Sequence, residues 1–160
     1  MATGSNTNPE LRAQWDKALQ HLAEAETAYR HYEKTVWEPA YERELAFEES
    51  HGLVAPGTDP RRATPDYMEK RAALLSAHPL FAIPDDVNDE IERLSTAFAD
   101  AQTALMKLEA PDQAALRWKL DHVLELEDTD SPHGGSIPCW TAGYVLQTIA
   151  DYRRLLPEAA

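Results

Sequence analysis

A chain of 160 residues has the length of a single domain, enough for one core and short for two. Hydrophobic residues make up 43% of it and charged residues 27%, an ordinary globular balance that excludes wholesale disorder. A net charge of -13 repels phosphate backbones and anionic lipid surfaces, so neither direct nucleic-acid binding nor membrane binding is expected.

Cys139 is the sole cysteine, which rules out an intramolecular disulfide. The first ten residues lack the basic start and apolar run of a signal peptide, and no apolar stretch is long enough to cross a bilayer. A cytoplasmic setting is therefore expected, with residues 1–7 as a disordered tail.

Asn8-Pro9-Glu10 combines a capping side chain, a proline suited to the first helical position and a carboxylate at the positive end of the helix dipole. From there Leu11, Trp15, Ala18, Leu22, Ala25, Tyr29, Tyr32 and Val36 recur at spacings of three and four, which makes one apolar seam along a helix. Pro39 removes a backbone donor, so a kink or break is expected there, and Gly52 is placed to cap the continuation. A straight helix over residues 9–51 would be roughly 60 Å long at 1.5 Å per residue, so the second segment should either project or fold back.

Residues 52–64 carry Pro56, Gly57, Asp59 and Pro60 and read as a flexible loop. Thr64-Pro65 repeats the cap-and-proline signature and opens a short helix with Met68, Ala72 and Leu75 as its buried line, ended by His78-Pro79. Leu80, Phe81, Ala82 and Ile83 are pinned between two prolines and are expected to cross the bundle in extended form, with Phe81 or Ile83 as a plug.

A central helix follows over residues 88–108, capped by Asp85 or Asp86. Its seam of Ile91, Leu94, Phe98, Ala101, Leu105 and Leu108 is the natural partner of the first. Pro111 stops it, and Asp112 enters the first turn of the next helix, where Leu116, Leu120 and Val123 repeat the spacing. Residues 128–139 read as a loop, and Thr141 caps a last helix whose seam is Ala142, Val145, Ile149, Tyr152 and Leu156. The fold class is all-α: a helical bundle built on a long N-terminal helix, kinked or broken near Pro39 and paired with the central helix, plus two or three shorter helices in one domain.

Motifs with chemistry are sparse. Glu48 and His51 have the Glu-x-x-His spacing of di-metal bundles, but such sites need two of these motifs and the chain has one. Cys139 beside Trp140, with His133 in the same loop, would need an orienting base and a depressed thiol pKa to act as a nucleophile; packing is the simpler role. Gly134-Gly135 fits no nucleotide-binding fingerprint. No catalytic, cofactor or metal residue is therefore assigned.

Tryptophan is costly to expose and favoured at interfaces, so Trp37 and Trp118, both off the main seams, are candidate interface residues. The acidic stretch containing Glu42, Glu44, Glu48 and Glu49 is a candidate surface for a basic partner.

The stretch Ala-Pro-Asp-Gln-Ala-Ala-Leu-Arg-Trp-Lys-Leu-Asp-His at 110–122, with Trp140 and Val-Leu-Gln-Thr-Ile-Ala-Asp-Tyr-Arg-Arg-Leu-Leu up to Leu156, resembles small helical proteins of alphaproteobacteria that are often prophage-associated. The likeness covers residues 84–156. It implies a bacterial or phage cytosolic setting and an accessory role, and it carries no site residues.

The expected function is that of a non-enzymatic helical protein acting through a helix face, on a protein partner or on its own copy. The alternatives are a small metal-binding or enzymatic bundle using Glu48, His51 and Cys139, and an acidic inhibitor that imitates nucleic acid.

Overall fold

The computed structural model describes residues 8–53, 64–125 and 142–156. The described residues form helices: α1 (Pro9–Tyr32), a π-helical segment (Glu33–Trp37), α2 (Glu38–Ser50), α3 (Pro65–Ala77), α4 (Asp85–Lys107), α5 (Gln113–Glu125) and α6 (Ala142–Leu155). This is the expected all-α helical bundle with a long, kinked first helix, and no strand occurs among the described residues. The tail 1–7, most of the loop 52–64, the loop 128–139 and Thr141 lie outside the described residues. Within the chain two compact units are distinguished, Met1–Ala25 with Ala97–Ala160, and Glu26–Thr96.

In the first unit the two predicted seams meet. Trp15 and Leu22 of α1, Ala101 and Leu105 of α4, and Ala110, Ala115 and Leu116 form one buried apolar cluster, with Ala18, Ala25, Phe98 and Leu108 packed against it. Fully burying a side chain the size of Leu105 contributes about 1.5 to 3 kcal/mol. Asn8 caps α1 as expected, its Oδ1 accepting the Glu10 N–H at 3.0 Å. Asp112 stands just before α5 rather than inside its first turn, accepting the Ala115 N–H at 2.9 Å and the Arg12 guanidinium at 2.6 Å. The Ala115 hydrogen bond, then the Arg12 charge, hold its carboxyl below the usual carboxylate range.

In the second unit the kink takes the form of a π turn just before Pro39. The Glu38 N–H donates to the Glu33 carbonyl five residues back, so the wide turn is in place before the proline, which has no N–H to offer. One extra residue in that turn shifts the faces. Val36, the last residue of the predicted seam, is exposed, while Ala40, Glu44 and Glu48 of α2 are buried. Gly52, at φ 78°, closes α2: its N–H donates to the Glu49 carbonyl and that of Leu53 to the Glu48 carbonyl, both at 3.0 Å.

The Thr64 cap holds, its Oγ1 accepting the Tyr67 N–H at 3.2 Å. The expected buried line of α3 is not realised, because Met68 and Ala72 are exposed and Tyr67, Arg71, Leu74 and Leu75 are the less exposed residues. Residues 79–82 form a turn rather than an extended plug, with the Phe81 N–H bonded to the His78 carbonyl at 3.0 Å. Phe81 then stacks on Phe47 at 4.0 Å between ring centroids.

Candidate functional site

The last helix shows its apolar side to solvent. In α6, Tyr144, Thr148 and Asp151 are buried, at spacings of four and three. The predicted seam lies roughly a third of a turn away at 3.6 residues per turn, and most of it is exposed. Ile149 is 43%, Tyr152 51%, Leu156 40% and the adjacent Leu146 67% accessible, with Val145 half-buried. The expectation that this seam seals the helix against the core is therefore corrected.

The cause is a buried ion pair. Asp151 Oδ2 accepts Lys119 Nζ at 2.6 Å, with the two side chains 1% and 0% accessible. Lys119 also donates to the Leu108 carbonyl and lies 5.6 Å from the centroid of the Trp15 ring. The other carboxylate oxygen of Asp151 accepts from Gln147 and from Arg154, each at 3.3 Å. Burial pushes the Lys119 ammonium below its ordinary value, and Asp151 opposes that shift. A charge at this depth is costly without its partner, so the pair fixes which side of α6 faces inward. On α5, Lys119 takes the inward place that periodicity gave to Leu120, which is exposed.

The acidic candidates separate. Glu42 and Glu49 are exposed as expected, whereas Glu44 and Glu48 are 3% and 0% accessible. As surface residues for a basic partner those two are corrected, because both are bound to Arg71. Its Nη2 pairs with Glu44 Oε1, and its Nε with Glu48 Oε1 at 2.7 Å. Glu44 Oε2 accepts the Ile83 N–H and Glu48 Oε2 accepts the Tyr67 hydroxyl, each at 2.7 Å. All four carboxylate oxygens thus have a donor, which ties α2 to α3 and to the residues that precede α4. Burial, then the bond to Glu48, raises the Tyr67 phenol to about 12. Arg71 is raised despite the lowering effect of its own burial, because both carboxylates favour its charge.

Both candidate tryptophans are half-buried. Trp118 meets Trp15 edge-on at 5.9 Å and stacks on His122 at 5.4 Å, so it packs against the core cluster of its unit. Trp37 stacks on Tyr41 at 5.0 Å and donates Nε1–H to Asn88 Oδ1 at 3.4 Å.

His51 Nδ1 sits 2.9 Å from the Phe47 carbonyl and 3.0 Å from Ser50 Oγ, while the Glu48 carboxylate is committed to Arg71 and Tyr67. The structure does not bring the Glu-x-x-His pair together as ligands, and no group of three or more metal-ligating side chains occurs among the described residues. Cys139 and His133 lie outside the described residues.

Sequence reasoning missed Arg71, Lys119 and Asp151. Their one signal was spacing, since Arg71 follows Tyr67 by four and Lys119 follows Ala115 by four. No described helix is long and apolar enough to cross a membrane. The chain matches no family model, no curated protein and no solved structure.

Proposed function

We propose that this is a non-enzymatic helical interaction protein that self-associates through the apolar outer face of α6. The carrying observation is the exposed stripe of Leu146, Ile149, Tyr152 and Leu156 on a helix whose inward side is polar. An exposed apolar stripe on a helix is a surface awaiting a partner. A second copy suits it for two reasons.

The stripe is self-complementary. A two-fold axis through Ile149 sets Leu146 of one copy opposite Tyr152 of the other, and Val145 opposite the aliphatic stem of Arg153. Charge favours the same face. The only acidic residue of α6 is Asp151, which is buried, so this helix presents no carboxylate to a second copy of a chain with net charge -13. A helix of 14 residues is about 21 Å long at 1.5 Å per residue, and pairing two of them buries less than the ~1,200 Å² of a stable standard-size interface. The association is accordingly weak and reversible. An accessory role in a bacterial or phage cytosol, as the resemblance of residues 84–156 implies, belongs to the same reading.

Sedimentation velocity of the whole chain from micromolar to submillimolar concentration tests it. The sedimentation coefficient rises with concentration in the native protein and stays at the monomer value in Ile149→Glu, with helicity unchanged because Ile149 lies on the exposed side. A native protein that is monomeric throughout, or an Ile149→Glu variant that associates equally well, rejects the proposal.

A further inference from the structure

The π-helical segment supplies two walls of a cleft. Glu33 and Trp37, at its two ends, line a cavity of about 250 Å³ together with Tyr29, Ile91, Glu92 and Ser95. π turns are rare and are found often at functional sites, because the widened turn re-aims side chains. This volume lies below the ~300 to 1,000 Å³ of pockets that hold drug-sized ligands, which excludes a nucleotide and suits a single side chain or small amine.

The lining chemistry specifies the sign of the charge. Tyr41 covers one face of the Trp37 indole, and Asn88 holds its N–H, so the ring is already oriented before anything enters the cleft. Glu33 is balanced within the unit: Oε1 accepts the Tyr29 hydroxyl at 2.7 Å and Oε2 accepts Arg30 at 3.1 Å. Glu92 is exposed and makes no ion pair among the described residues. The cleft therefore carries one uncompensated carboxylate beside an aromatic wall. At its edge the chain already pairs such groups, since the Arg30 guanidinium lies 5.3 Å from the Tyr29 ring centroid while bonded to Glu33. An indole face attracts a cation through its quadrupole, and a guanidinium can stack on the ring while bonding a carboxylate.

We propose that this cleft binds an organic monocation, a guanidinium or alkylammonium group, against the indole of Trp37 with Glu92 as its counter-ion. A free amine and an arginine or lysine side chain of another protein present the same group, and the recognition chemistry is the same for both. The site belongs to residues 26–96 and does not depend on the self-association proposed for α6.

The test is titration of the ¹⁵N-labelled whole chain, following the indole N–H of Trp37, which is assigned from its disappearance in Trp37→Phe. Nα-acetyl-argininamide and Nα-acetyl-lysinamide are the cationic probes, Nα-acetyl-citrullinamide is the neutral control, and a capped pentapeptide with one central arginine reports the source. Saturable shifts of Trp37 with the cations and none with citrulline are expected, with binding weakened about tenfold in Glu92→Gln. Glu92 is exposed, so that variant keeps its fold, which circular dichroism verifies. Tighter binding of the pentapeptide than of the amide assigns the site to a protein partner, and equal or weaker binding assigns it to a free amine. No saturable shift at Trp37, an equal response to citrulline, or unchanged affinity in Glu92→Gln overturns the proposal.

Discussion

Replacing Lys119 by methionine lowers the unfolding free energy by about 3 to 5 kcal/mol, measured by urea denaturation. The substitution nearly preserves volume, so the loss is not one of packing. It leaves Asp151 fully buried with only two weak donors, Gln147 and Arg154 at 3.3 Å, and removes the cation from above Trp15. The double variant Lys119→Met/Asp151→Leu regains most of that stability, because replacing both members of a buried pair by apolar groups removes the desolvation cost as well as the attraction. The double variant should also self-associate less than the native chain. Without the pair, the inward side of α6 keeps only the contact of Tyr144 with Thr103 and the bonds of Arg154 to Glu109 and the Ala110 carbonyl, and the helix turns Ile149 and Tyr152 toward the core more readily. A single variant with native stability would show that the pair does not set the orientation of α6.

Arg71→Met has an effect of the same order, about 3 to 5 kcal/mol, because it strands two carboxylates instead of one. Glu44 and Glu48 keep the Ile83 N–H and the Tyr67 hydroxyl as donors, but their charges then face each other in a buried setting with no counter-ion. Adding Glu44→Gln and Glu48→Gln to Arg71→Met recovers much of the loss, which separates stranded charge from lost packing.

The same cluster responds to alkali. Tyr67 holds its proton to about pH 12 in the folded protein, against 10.0 for its ordinary value. Between these values the unfolded chain binds fewer protons than the folded one, so stability falls as pH rises. The contribution is complete below pH 10 and lost through pH 12. Tyr67→Phe flattens this limb in denaturation curves recorded from pH 9 upward; an unchanged slope would show that the phenol is not the group responsible.

These buried charges also explain how far the sequence can be read. The pairing of α1 with α4 was legible because Trp15, Leu22, Ala101 and Leu105 are apolar and recur at helical spacing, and burial of such residues needs no particular partner. The caps Asn8 and Thr64 and the terminator Gly52 were legible because each acts through its own backbone neighbourhood. The inward faces of α3 and α6 were not, and that of α5 only as far as Leu116. In each of them an ionisable residue displaced the apolar line, Arg71 for Met68, Lys119 for Leu120 and Asp151 for Ile149, and each depends on a partner 23 to 32 residues away. Periodicity records which residues could be buried, while a long-range ion pair decides which ones are. The π turn adds a local example, since an extra residue before Pro39 moved Val36 outward and left Trp37 beside the cleft. Trp37 was singled out for its residue type, but Tyr29, Ile91, Glu92 and Ser95 reach the same cleft only through the packing of this unit.

The most direct test of the proposed self-association is disulfide trapping at the centre of the α6 stripe. In a Cys139→Ser background, Ile149→Cys places one thiol per chain beside the proposed two-fold axis, where a disulfide needs Cα atoms about 4.4 to 6.8 Å apart. Mild oxidation at high protein concentration should yield a covalent dimer on non-reducing electrophoresis, far faster than in the control Ala99→Cys on the exposed side of α4. A chain that stays monomeric, or crosslinks no faster than that control, contradicts the account.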